Sequence, residues 1–312
     1  MSETCYHQPV MLRESIDALR VSPTGTYVDV TFGGGGHSRC LLQQLTTGHL
    51  YAMDQDEDAL RNAPADQRLT LIRGNFRYLR NFLRYEGAGP VDGVIADLGV
   101  SSHHFDTPER GFSFRFDAPL DMRMNRQAAL TAADVVNNYG EQQLADVLHT
   151  YGQLRQARSI AKAIVQRRAQ TPIATTGQLA ELAAPLLQTP SSSQRPTAAG
   201  AWPKDMAQVF QALRIEVNRE MTALAAMLEQ AVQVLKPGGR LVVITYHSLE
   251  DRMVKNLMRT GRTDGRQTKD FFGRIYTPLR PATNKVITPT AQEQADNPRS
   301  RSAKLRIAEK NA

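Results

Sequence analysis

The feature that most constrains this chain is a short apolar run feeding a cluster of glycines. Tyr27-Val28-Asp29-Val30 leads into Thr31-Phe32-Gly33-Gly34-Gly35-Gly36-His37, and the periodic stretch from His37 to Leu45 then predicts a helix. Without Cβ atoms, a turn between strand and helix adopts positive φ freely and lets backbone approach a ligand. Further apolar runs follow at Leu50-Tyr51-Ala52-Met53, ending at Asp54, at Leu69 to Ile72, and at Val91 to Ala96, ending at Asp97. Strands alternating with helical segments predict an α/β fold with a mostly parallel sheet covered by helices on both faces.

That rhythm stops near Thr107. To about Ala201 the pattern is helical, with amphipathic helices expected over Ala157 to Arg168 and Gly177 to Ala184 and a loop at Ser191-Ser192-Ser193-Gln194-Arg195-Pro196. The α/β pattern resumes with one long helix, Met206 to Leu235, stopped by Lys236-Pro237-Gly238-Gly239. A fifth strand is expected from Arg240 to Thr245, and Lys285 to Ile287 and Ala303 to Ile307 are candidates to complete the sheet. The expected organisation is an α/β domain in two parts, residues 1–106 and 206–312, interrupted by a helical, substrate-recognising insertion at 107–205.

Two cysteines, Cys5 and Cys40, leave no disulfide framework, and Cys5, His7 and His37 lack metal-site spacing, so no structural metal is expected. Met1 to Arg20 mixes acids and bases as no signal peptide does, and the strongest apolar run, Leu241-Val242-Val243-Ile244, is too short to span a bilayer. A cytoplasmic protein without membrane attachment is the expectation. From Arg259 onward there are 12 Lys/Arg against 5 Asp/Glu, while the rest of the chain holds 26 of each, so the net charge of +7 resides in the last stretch. A basic segment on a balanced body suits an anionic partner such as RNA.

The glycine turn departs from a pyrophosphate-binding fingerprint, because Ser38 stands where the third glycine is needed. Asp54, about 20 residues on, can bind ribose hydroxyls, and Asp97 ends the strand beside the expected reversal of strand order, where open sheets bind ligands. Together they fit a nucleoside cofactor without a pyrophosphate, S-adenosylmethionine being the obvious one. Methylating carbon 5 of a cytosine needs a cysteine nucleophile. Neither cysteine lies near strand four in sequence, and Cys40 reads as a buried structural thiol, so the acceptor is expected to be a heteroatom. Asp97-Leu98-Gly99-Val100-Ser101-Ser102 offers a carboxylate, carbonyls and hydroxyls that can hold an exocyclic amine. Asp97 and Ser101 are therefore candidate catalytic residues, joined by His247 after strand five. Ser248 with Asp251 reads as a helix capping pair, and Phe112, Phe114 and Phe116 could stack on an unpaired base or pack inward. Three rivals stay open: a methyltransferase of the same fold acting on another nucleic acid or a protein, a nicotinamide-dependent oxidoreductase, and a non-catalytic RNA-binding module.

Several long segments resemble the bacterial ribosomal RNA small subunit methyltransferase H family. They are His7-Gln8-Pro9-Val10-Met11-Leu12, Asp29 to Ser38, Asp97 to Ser102, Glu109-Arg110-Gly111-Phe112-Ser113-Phe114 and Pro119-Leu120-Asp121-Met122-Arg123-Met124, followed by Phe210-Gln211-Ala212-Leu213-Arg214-Ile215, Tyr246 to Arg252 and Asn297 to Arg306. The resemblance implies a class I S-adenosylmethionine-dependent methyltransferase fold, Rossmann-like, with a helical insertion domain. It implies S-adenosyl-L-methionine as donor and, as target, the exocyclic N4 amino group of a decoding-region cytidine in 16S rRNA of the small ribosomal subunit. By position it carries cofactor contacts onto Gly35, Gly36, His37, Asp54, Phe76, Asp97 and His104, the last standing where the family has glutamine.

Overall fold

The structure is a computed structural model that describes residues 9–100, 105–187, 202–203, 205–267, 269, 271–273 and 277–312. The chain divides into two compact units, one drawn from Met1–Gly99 and Met221–Ala312, the other from Val100–Glu220.

The first unit is built on seven strands: β1 (Thr26–Asp29), β2 (His49–Asp54), β3 (Leu69–Arg73), β4 (Val91–Asp97), β5 (Leu235–Thr245), β6 (Leu279–Pro281) and β7 (Lys304–Lys310). Their order is β3-β2-β1-β4-β5-β7-β6. The first five run parallel, while β7 runs antiparallel to both β5 and β6. The expected mostly parallel sheet is therefore present, and its order reverses between β1 and β4. The central strands read as continuous apolar runs because both faces are covered. One face buries Val28, Val94, Leu241 and Val243 under the helices Leu79–Tyr85, Glu220–Val234 and Ser248–Thr260; the other buries Tyr27, Leu50, Ile95 and Val242 under Leu12–Leu19 and Gly36–Gln44. Each such side chain contributes roughly 1.5–3 kcal/mol.

Three expectations need correction here. The helix expected from Met206 to Leu235 is two, Met206–Asn218 and Glu220–Val234, parted at Arg219, whose φ of 50° is left-handed. Apolar periodicity continues across the break, which is why the pattern concealed it. β5 begins at Leu235 rather than Arg240, with its register against β4 shifted across Lys236–Gly239. Lys285 to Ile287 supplies a single bridge, Ile287 to Leu305, and the edge strand is instead Leu279–Pro281, too short and too polar to show a period of two.

The second unit is helical among its described residues, with helices Ala132–Asn138, Glu141–Thr150, Ala157–Arg168, Thr176–Leu187 and Met206–Asn218 around their own core of Leu144, Leu148, Ile160, Ile164, Val209 and Leu213. Phe112 is buried in that core, Phe114 packs edge-on against Phe210 with centroids 5.2 Å apart, and Phe116 is 52% exposed. Inward packing thus accounts for two of the three phenylalanines. The loop expected at residues 191–196 lies outside the described residues. Among the described residues, no helix is long and apolar enough to cross a membrane.

Candidate active site at the strand ends

Three neighbouring strands end in carboxylates. Asp29 pairs in register with Ala52 and with Ile95, so Asp54 and Asp97 project two residues beyond it on either side, on the same face by strand periodicity. Asp29 itself is buried, accepting from the Ser38 hydroxyl at 2.6 Å and from the Thr31 amide at 3.0 Å. It ties the first strand to the first turn of the helix Gly36–Gln44. The Thr31 hydroxyl in turn accepts the Asp97 amide at 2.7 Å, locking the turn to β4. Sequence reasoning passed over Asp29, although its place before the glycines was the available signal.

The turn needs its glycines. Gly35 caps the helix at φ 75°, and a Cβ there would lie 2.7 Å from the Phe32 ring. A Cβ on Gly36 would meet the Pro9 ring at 2.0 Å. Both positions therefore admit only hydrogen.

Asp54 is held by backbone: the Gly33 amide donates to one oxygen at 2.8 Å and the Asp56 amide to the other at 2.9 Å. Burial pushes its pKa up to about 6, against the pull of these amides. Each carboxylate oxygen keeps a lone pair for a ligand. Phe76 opens a short turn just beyond β3 and is half-buried.

Asp97 is held differently. Its Oδ1 accepts the Tyr246 hydroxyl at 2.7 Å, and its Oδ2 lies 3.8 Å from Nδ1 of His37. Burial pushes its pKa up to about 7; the Tyr246 hydrogen bond lowers it, and the charge of Glu250 raises it. The same burial and the Asp97 charge drive the Tyr246 phenol well above its ordinary pKa, so Tyr246 keeps its proton and donates it to Asp97. His37 is 6% exposed against 24% for Asp97, and its burial lowers its proton affinity, so the ring is neutral near pH 7. Its Nε2 is buried without a hydrogen-bond partner among the described residues.

His247 is the N-cap of the helix Ser248–Thr260. Its Nδ1 accepts the Glu250 amide at 3.4 Å, and its Nε2 lies 3.1 Å from Glu250 Oε1 without hydrogen-bond alignment. Glu250 closes the box by accepting the Tyr246 amide at 2.8 Å and the His247 amide at 3.3 Å. The capping pair expected at Ser248 and Asp251 is thus one residue earlier. Asp251 instead binds Arg306 at 2.6 Å and Lys304 at 3.4 Å, which fastens β7 to this helix.

The structure therefore gathers Gly35, Gly36, His37, Asp54 and Asp97 about the sheet's reversal point, with Phe76 beyond the neighbouring β3. Ser101 and His104 lie outside the described residues. Tyr246 and Glu250 are additions that sequence spacing did not single out. Cys40 is half-buried rather than fully buried, with burial raising its pKa.

These residues suit a nucleoside carrying positive charge. Two carboxylates with raised pKa values recover stability beside a cation. A Cβ on Gly33 would find its nearest neighbour at 3.9 Å, so the turn leaves space above it.

Comparison with known proteins gives one family model, described as the MraW methylase family, matching residues 4–311. Proteins named ribosomal RNA small subunit methyltransferase H are similar along nearly the whole chain. That of Bacteroides fragilis strain YCH46 is 59% identical over 309 residues, covering 99% of this chain and 98% of its own. That of Parabacteroides distasonis is 57% identical over 310 residues, covering 99% and 98%. That of Cytophaga hutchinsonii is 51% identical over 307 residues, covering 98% and 99%.

Proposed function

The chain belongs to the MraW methylase family, and from that premise we propose that it methylates the exocyclic N4 amino group of a decoding-region cytidine in 16S rRNA, within the small ribosomal subunit. The fold is the class I methyltransferase fold and the donor is S-adenosylmethionine, which when bound supplies an electrophilic methyl group on a cationic sulfonium.

The observation that carries the reading is Asp97: a partly exposed carboxylate at the reversal point, aimed by Tyr246, with its pKa at about 7. An exocyclic amine has its lone pair delocalised into the ring. A carboxylate oxygen accepting one of its N–H bonds localises that pair. The same oxygen takes the proton the nitrogen must lose, and a pKa near ambient pH is suited to that transfer. Among the described residues the one cysteine is Cys40, in the helix Gly36–Gln44, with its thiol pKa raised. That favours a heteroatom acceptor over carbon 5 of the ring.

Asp54, aimed by the Gly33 and Asp56 amides, holds the ribose hydroxyls in this reading. Phe76 covers the base, and Gly35, Gly36 and His37 shape the turn beneath the donor. His104 is assigned to the same donor and Ser101 to the target amine, on sequence position. His247 acts through Glu250 and Tyr246 on Asp97, which makes it a positioning residue. The helical unit, read as residues 107–205, is assigned to substrate recognition. In the basic segment, Arg301 is exposed and suited to phosphates, whereas Lys304 and Arg306 are engaged by Asp251.

The test is to incubate the protein with labelled S-adenosylmethionine and small subunits lacking the modification, then map the label. N4 of one decoding-region cytidine is the expected site. Label on a ring carbon, on another nucleic acid or on protein would defeat the proposal.

A further inference from the structure

Several arginines of this molecule are matched to carboxylates, among them Arg68 to Asp66, Arg123 to Asp121, Arg214 to Glu220, Arg240 to Glu309 and Arg306 to Asp251. The stretch Arg73 to Tyr85 behaves otherwise. It holds four arginines and no acidic residue. Arg73 pairs with Glu57 at 3.2 Å, but among the described residues Arg77, Arg80 and Arg84 have no carboxylate within ion-pair distance. Arg80 is steadied by neutral groups: its Nη1 donates to Gln233 at 2.7 Å, and its amide donates to Gln230 at 2.9 Å.

Interleaved with these cations are two tyrosines, Tyr78 at 49% and Tyr85 at 86% exposure. Tyr78 ends the turn before the helix and Tyr85 ends the helix itself, while Arg80 and Arg84, four apart, share one stripe of the helix between them. The turn and helix pack against the end of β3. The Phe82 ring lies so close to the end of β3 that a Cβ on Gly74 would meet it at 2.3 Å. The same ring takes Tyr78 edge-on at 6.4 Å, and the Arg77 guanidinium sits 5.2 Å from the Tyr78 centroid. Leu79 and Leu83 point inward, so the face offers guanidinium groups and phenol rings instead of an aliphatic patch.

We propose that this face, the turn Phe76–Tyr78 with the helix Leu79–Tyr85, is an RNA-docking surface that grips single-stranded ribosomal RNA flanking the methylated base. Guanidinium forks match phosphates, and exposed tyrosine rings stack unpaired bases whatever their sequence. The turn that carries Phe76 runs directly into this face, so RNA held here borders the donor site. The inference rests on the RNA reading above and adds where the RNA is held.

The variant Arg80→Gln/Arg84→Gln/Tyr85→Ala tests it, with Tyr85→Ala alone as the milder change should the triple variant fold poorly. Affinity is measured by anisotropy for unmodified small subunits, for a single-stranded oligouridine and for polyglutamate, across a range of salt. S-adenosylmethionine affinity and the melting curve serve as folding controls. For subunits and oligouridine alike, we expect the triple variant to bind about tenfold or more weakly, with a flatter salt dependence, and Tyr85→Ala about fivefold more weakly. Equal binding of parent and variant to subunits overturns the docking face and leaves the RNA reading standing. If the parent does not bind subunits, that reading fails, and oligouridine decides the face by itself: weaker binding by the variant upholds it, while no difference or no binding overturns it. An equal loss for polyglutamate would mark a general polyanion site and overturn the assignment to RNA.

Discussion

Two strands of the same sheet end in the same side chain and hold it in different ways. At the end of β2, Asp54 is gripped by two backbone amides, at 2.8 and 2.9 Å. At the end of β4, Asp97 is gripped by one side-chain hydroxyl and faces a second buried acid, Glu250. Amide donors stabilise the charged form and cannot rotate away, so Asp54 is a fixed acceptor with its pKa at about 6. Asp97, with fewer donors and a like charge nearby, sits at about 7. In the function proposed above, this difference in environment assigns binding to Asp54 and proton exchange to Asp97.

The sharpest way to break this comparison is Asp97→Asn, which keeps the shape and removes the charge. Single-turnover methylation at saturating donor should fall by roughly 10²–10⁴-fold, while donor affinity changes little. A near-parental rate would make Asp97 a second anchor and erase the distinction.

Asp54→Ala should do the opposite. Donor affinity measured by calorimetry should drop by about 1.5–3 kcal/mol, the range for hydrogen bonds to a charged group, with the rate at saturation largely kept. Unchanged affinity would remove Asp54 from the site.

A smaller effect is expected of Tyr246→Phe. The hydroxyl lowers the Asp97 pKa, so its loss raises that pKa above its present value of about 7. Less of the ionised base is then present at neutral pH. The rate at pH 7 should fall several-fold, about what one net hydrogen bond is worth, and should recover as pH rises. A parallel loss at every pH would mean Tyr246 acts by packing alone.

The smallest effect is on stability. Both carboxylates have folded-state pKa values above their unfolded ones, so the folded protein binds more protons between about pH 4 and pH 7. Their contribution is present at acid pH and is lost as pH rises through about 6 for Asp54 and about 7 for Asp97. Asp97→Asn removes its share of that loss. Relative to the parent, its melting temperature should be higher at pH 8 than at pH 5. A constant difference would show that Asp97 does not titrate in that window.

The sequence by itself determined the parallel strands, the glycine turn and the carboxylates at the ends of β2 and β4. These follow from periodicity, from the absence of Cβ atoms and from residue order along single elements, all local properties. It also showed where cations outnumber acids by count, in the segment after Arg259. What each charge does was decided only by tertiary structure. Asp29 became an internal anchor because the helix Gly36–Gln44 folds Ser38 onto it. Asp97 acquired its partner from Tyr246, 149 residues away. Lys304 and Arg306 were taken up by Asp251, more than 50 residues earlier, while Arg77, Arg80 and Arg84, unremarkable in a count, met no acid among the described residues. The break at Arg219 was likewise invisible, because a single left-handed residue leaves the apolar period on either side intact. Pattern along the chain specifies which elements form. Pairing energies depend on distances between elements, and those exist only once the sheet has brought remote residues together.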